Sequence, residues 1–103
     1  MDKVWLLILS LCWPLAQADV PEERTVWLRQ LLYQDCGSCH GLRLTGGLAP
    51  PLTVQALAER AEQDLAATIR HGRPGTPMPP WQGVLSEADI QWLARTLKTG
   101  EHP

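Results

Sequence analysis

The sequence predicts a small all-α domain of three to four helices joined by long irregular loops. Three observations carry that expectation. Apolar residues recur at three- and four-residue spacing in several windows, the period of a helix with one buried face. No alternating apolar and polar run exceeds four residues, so no strand is expected. Nine Pro and eight Gly on 103 residues fall mainly in two stretches, 41–52 and 72–85, which read as loops. The length allows one domain. With 45% hydrophobic residues and 9 Lys+Arg against 11 Asp+Glu, the chain lacks the charge excess of a disordered segment and the basic surplus of a nucleic-acid binder. Five Trp, one Tyr and no Phe are too few aromatics to fill a core alone.

Residues 1–18 read as a cleaved export signal. Lys3 gives a positive start, Val4 to Trp13 is apolar but for Ser10, and Ala16-Gln17-Ala18 suits cleavage before Asp19. The run is shorter than the about 20 residues of a spanning helix, so no membrane anchor is expected after cleavage. What is left is one domain, 19–103, whose sulfur residues are Cys36, Cys39 and Met78. So short a domain is near the lower limit for a self-sufficient core, and a disulfide, a metal or a large cofactor is expected to staple it.

Each helix has its own signal. Pro21-Glu22-Glu23 opens the first, with acids in the turn where the helix dipole favours them. Val26, Trp27 and Leu31 continue it at helical spacing into the Cys36 region. Residues 54–60 and 62–71 read as two short helices sharing the stripe Leu57, Ala61, Leu65 and Ile69, with Gly72 stopping the second. Ser86-Glu87-Ala88-Asp89 is a capping-box pattern that starts the last helix. Ile90, Leu93, Ala94 and Leu97 mark its buried face, and Gly100 its end.

Cys36-Gly37-Ser38-Cys39-His40 is Cys-x-x-Cys-His, the attachment sequence for c-type haem. On a helical turn the two thiols each reach one vinyl group on the same haem edge, and the next imidazole meets the iron. A shuffle of this composition produces the pattern roughly 0.002 times. Three other uses compete. A thioredoxin-like redox pair needs a strand before it and a βαβ unit around it, whereas the preceding segment reads as helix. A structural zinc site wants four ligands, which Cys36, Cys39 and His40 complete only with His71 or His102. A plain disulfide leaves His40 unexplained.

A covalent haem needs a sixth ligand or a deliberate vacancy. Met78 is the sole methionine after residue 1, in Gly72-Arg73-Pro74-Gly75-Thr76-Pro77-Met78-Pro79-Pro80-Trp81. Methionine is usually core filler, but nothing around Met78 has helical or strand periodicity. A loop stiffened by four prolines instead holds a thioether at fixed distance from iron, and His/Met pairs raise the potential. His71 is the rival ligand; at a helix end its ordinary role is a polar C-cap. His102, in the tail, has no expected role. Trp81 and Trp92 are expected to pack on the porphyrin or simply in the core, with the Trp81 indole N–H a candidate donor to a haem propionate. Arg43, Arg70 and Arg73 flank these segments, either as a basic ring that guides docking or as part of a mixed, solvated surface.

Across residues 24–99 the chain resembles a small class I cytochrome c: helix, Cys-x-x-Cys-His, Gly41, a Pro-rich turn, a Met-Pro loop and a final amphipathic helix. The resemblance implies three to four helices wrapped around one haem c, attached by two thioethers. It implies too that Pro50, in Ala49-Pro50-Pro51-Leu52, offers its carbonyl to the His40 Nδ1 proton. Residues 34–42, 46–52 and 72–81 are most similar to NirC-type cytochromes, associated with cytochrome cd-type nitrite reductase. That implies a periplasmic electron carrier of denitrification and not an enzyme. Its partners would be the nitrite reductase or a maturation dehydrogenase that makes the reductase's second haem. Two alternatives stand beside it: a haem protein with a labile sixth ligand that catalyses or senses a gas, and a donor to some other periplasmic oxidoreductase.

Overall fold

A computed structural model describes residues 20–102, so the expected export signal and its cleavage point lie outside the described residues. The architecture is all-helical, with no strand among the described residues. Helix α1 (Glu22–Leu31) passes through a single π-helical turn (Leu32–Cys36) into the short α2 (Gly37–His40). After an irregular stretch come α3 (Glu62–His71) and α4 (Glu87–Thr99). None of these helices is long and apolar enough to cross a membrane.

Helix α1 starts as expected, with Glu22 and Glu23 in its first turn and the Pro21 carbonyl accepting from the N–H groups of Arg24 and Thr25. Its buried face is offset by one position from the expected stripe. Val26 and Trp27 are exposed, whereas Leu28, Leu31 and Leu32 are buried. A π turn inserts one extra residue into the helical register, so the face that carries Leu28 and Leu31 into the core is brought round to present Cys36 to the cavity described below.

The segment expected to be a helix over 54–60 is a string of turns. Leu57 N–H reaches the Thr53 carbonyl at 3.0 Å, but the run of successive bonds does not continue. The Thr53 hydroxyl takes the Ala56 N–H at 3.2 Å, and Lys98 Nζ on α4 donates to the carbonyls of Leu57 and Ala58 at 3.1 and 3.2 Å. A tertiary cation thus ties the backbone of these turns to α4. Leu57 stays buried, but Ala61 of the expected stripe is exposed.

Helix α3 packs chiefly on α4. The core they share with α1 is almost all leucine: Leu28, Leu32, Leu44, Ile90 and Leu93 are its largest fully buried side chains. Leu44 reaches that core from a loop at φ +60°. The left-handed backbone costs about 1–2 kcal/mol for a branched residue, and burying a leucine returns about 1.5–3 kcal/mol. Burial wins, and the Leu44 carbonyl is fixed by the Leu52 N–H at 2.8 Å.

Helix α4 bears out its signal fully. Ser86 Oγ accepts from the Asp89 N–H at 3.1 Å, and Asp89 Oδ2 accepts from the Ser86 N–H at 3.0 Å. The same carboxylate accepts from Arg24 Nε and Nη2 at 3.3 and 3.0 Å, joining α4 to α1. Burial pushes the Asp89 carboxyl up, but the Arg24 guanidinium and the bonds with Ser86 outweigh it and hold the group below the usual carboxylate range. A depressed folded-state value stabilises the fold above the unfolded value of about 3.9, and that contribution fades as pH falls through the folded value. Asp89→Asn is therefore expected to cost about 1–2 kcal/mol at pH 7. Denaturant titration of both proteins at falling pH should show the gap between them closing below about pH 4; a gap independent of pH would contradict this origin.

Candidate functional site

Two loops and the end of α2 enclose a cavity of about 580 Å³, within the roughly 300–1,000 Å³ of small-molecule sites. Cys36, Cys39 and His40 form one wall, Leu48 to Leu52 another, and Met78 with its flanking prolines a third. The floor is the core itself, through Leu32, Leu65, Leu93 and Leu97.

Local hydrogen bonding explains how these walls meet. A helix as short as α2 ends with unsatisfied carbonyls, and the following loop supplies their donors. Gly46 N–H reaches the His40 carbonyl at 2.8 Å, and Ala49 N–H reaches that of Cys39 at 2.9 Å. For the loop to come so close, Gly41 sits at φ +96°, where an added Cβ would lie 2.5 Å from the Gly46 carbonyl oxygen. The loop so folded delivers Pro50 beside His40. His40 Nδ1–H donates to the Pro50 carbonyl at 2.7 Å. That bond fixes the tautomer, leaves the Nε2 lone pair free and raises its basicity.

The Met78 loop is closed on itself and onto α3. Arg73 N–H donates to the Met78 carbonyl at 3.2 Å, and Thr76 links both ends, its hydroxyl donating to the Arg73 carbonyl and accepting the Met78 N–H. Trp81 N–H returns to the Ile69 carbonyl at 3.0 Å. Gly72 caps α3 at φ +67°, and a Cβ there would meet the Met78 carbonyl oxygen at 2.7 Å and Pro79 at 2.6 Å. The thioether is therefore placed by a loop with little freedom to drift.

Cys36, Cys39, His40, Pro50, Met78 and Trp81 are thus brought to one cavity. His71 and Trp92 are not among its lining residues. His71 is exposed at the last position of α3, where Arg70 forms an ion pair with Glu87. That pairing leaves Arg70 a poor member of a free basic ring. Trp92 is half-buried on α4 with the Arg29 guanidinium over its ring at 5.5 Å, so of the two tryptophans only Trp81 faces the cavity. His102, expected to be idle, instead has Nδ1 3.0 Å from the Tyr33 hydroxyl and ties the tail to the π turn.

The thiol chemistry also discriminates. Burial, and secondarily the Asp35 charge, push the Cys36 thiol up to about 11. A thioredoxin-like pair works through a lowered thiol pKa, and this site does the reverse. Among the described residues no group of three or more His, Cys, Asp or Glu could hold a metal ion, which disfavours a zinc cluster. An apolar cavity with two thiols and an oriented imidazole fits a flat, apolar macrocycle whose metal takes one more ligand. Sequence reasoning missed two charged cavity residues, Asp35 and Arg60. Arg60 carried no signal, because the segment bearing it reads as an ordinary solvent-facing helix.

Comparison with known proteins adds an independent line. A family model described as cytochrome c oxidase, cbb3-type, subunit III, matches residues 28–95. Cytochrome c55X of Pseudomonas aeruginosa is 53% identical over 102 residues, spanning 95% of this chain and 86% of that protein. A solved structure of the c-type cytochrome NirC superposes with a TM-score of 0.78 at 55% identity, covering 82% of this chain and all of that one. Dihydro-heme d1 dehydrogenase NirN, solved in complex with DHE, gives 0.62 at 33% identity over 67% of this chain and 15% of its own.

Proposed function

This chain belongs to the cytochrome c family, and we propose that it is a periplasmic carrier of single electrons in the nitrite reductase system. One observation carries the reading. The imidazole freed at Nε2 by Pro50 and the thioether held by the proline loop line the same cavity as both thiols. Haem c bound there through Cys36 and Cys39 would supply a one-electron ferric/ferrous couple.

His40, from the side of α2, and Met78 would together hold the haem iron. With both bound, no site is left open for a small molecule, which favours a carrier over a catalyst or gas sensor. Pro50 keeps the imidazole in one tautomer and one orientation. The Gly72 contact and the Thr76 bonds keep Met78 in place in both oxidation states, so little rearranges on transfer. Trp81 and the leucines of the floor exclude water from the metal. Residues 1–18 would direct export before haem attachment. Likeness to part of a dihydro-heme d1 dehydrogenase supports a partner within the same system, either that kind of enzyme or the reductase.

The test mixes the reduced protein anaerobically with carbon monoxide, and separately with oxidised cytochrome cd-type nitrite reductase. Slow or no uptake of the gas and rapid reoxidation by the reductase are expected. Prompt gas binding would instead favour sensing or catalysis, and no reoxidation would send the search to other partners.

A further inference from the structure

Arg60 and Arg73, both exposed, are cationic residues in the wall of a cavity that is otherwise mostly apolar. Among the described residues, Arg24 and Arg70 are ion-paired, to Asp89 and Glu87, and Arg29 is bonded to Thr25. No hydrogen bond, ion pair or ring contact engages the guanidinium of either Arg60 or Arg73 there. The acidic group in the lining is Asp35, beside Cys36. The cavity is therefore polarised, negative at the cysteine edge and positive on the turn and loop segments.

We propose that Arg60 and Arg73 bind the two carboxylates that haem bears on the edge away from its thioether bonds, and that Arg73 thereby positions Met78. The inference rests on the covalent haem proposed above. A macrocycle fixed at the cysteines cannot bring its carboxylates to Asp35 without like-charge repulsion, and carboxylates at an apolar wall need partners. Guanidinium groups meet carboxylates bidentately. Arg73 has a second tie, because its N–H donates to the Met78 carbonyl within a loop closed by Thr76. Anchoring its guanidinium to the macrocycle holds both ends of that loop on the same group.

Arg60→Gln, Arg73→Gln and Arg73→Lys test this, with Arg43→Gln, an exposed residue outside the cavity, as control. Loss of a cation leaves a carboxylate uncompensated and favours the more positive ferric state. At a fixed applied potential the ferrous-to-ferric ratio should fall roughly three- to tenfold in Arg60→Gln and Arg73→Gln, tenfold being about 59 mV for one electron. Arg43→Gln should change it less than about twofold, given screening, and Arg73→Lys should restore most of the loss. Arg73→Gln should also take up added imidazole faster than Arg60→Gln, as Met78 is released more often. Shifts no larger than the control's, or no rescue by lysine, would overturn the carboxylate assignment; equal imidazole uptake would overturn the positioning role. A mass spectrum of the unfolded protein lacking bound haem would overturn the underlying reading instead.

Discussion

The Cys36→Ala/Cys39→Ala protein, made without covalent haem, is expected to show no cooperative thermal transition. Among the described residues, seven of the twelve buried hydrophobic ones, Leu31, Leu32, Leu57, Leu65, Leu85, Leu93 and Leu97, are also walls of the cavity. The core and the cofactor site are thus one object. The 580 Å³ cleft is partly open to solvent, so only the part against the leucine floor counts as void; about a third of it, at about 24 cal/mol per Å³, would cost roughly 5 kcal/mol. Whole domains are stable by only about 5–15 kcal/mol. Nor can the walls close in without breaking the bonds from Gly46 and Ala49 to α2 or the Thr76 bonds in the Met78 loop. Far-ultraviolet circular dichroism through a temperature scan is the measurement. A sigmoidal transition with an enthalpy near that of the haem-bearing protein would show that the leucine core suffices alone.

Local chemistry was readable in the sequence wherever it was also local in space. Cys36 to His40 lie on one turn, Ser86 and Asp89 are three residues apart, and Gly72 follows directly on α3, so spacing alone places them. What spacing misses is set by groups distant in the chain. The turns at 54–60, expected to be a helix, are tied to α4 by Lys98 from about forty positions away. The π turn is invisible because Leu28, Leu31 and Leu32 satisfy the helical period as well as Trp27 and Leu31 do. His102 gains its partner from Tyr33, 69 positions earlier, which no pattern in a tail can announce. Arg60 lines the cavity from a segment that turns instead of coiling.

Met78→Ala is expected to abolish the weak near-infrared band of Met-bound ferric haem while the c-type haem bands remain. Met78 and His40 reach the cavity from independent elements, one held by the Gly72 and Thr76 contacts, the other by Pro50, so removing the thioether should leave the proximal side intact. Alanine leaves an axial position that water or an added ligand can fill, and carbon monoxide should then bind the reduced variant promptly. Loss of the thioether also withdraws the ligand that favours the ferrous state. The potential should fall by on the order of 0.1 V, a modest part of the about 0.8 V that axial ligands span. His71→Ala should leave band, potential and gas binding as they are, since His71 lies outside the cavity wall. The two variants separate ligation from stability. Were the band absent from the unaltered protein and the spectrum changed by His71→Ala, the iron would be reached by the end of α3, and the closed, six-coordinate carrier would give way to a site that can open.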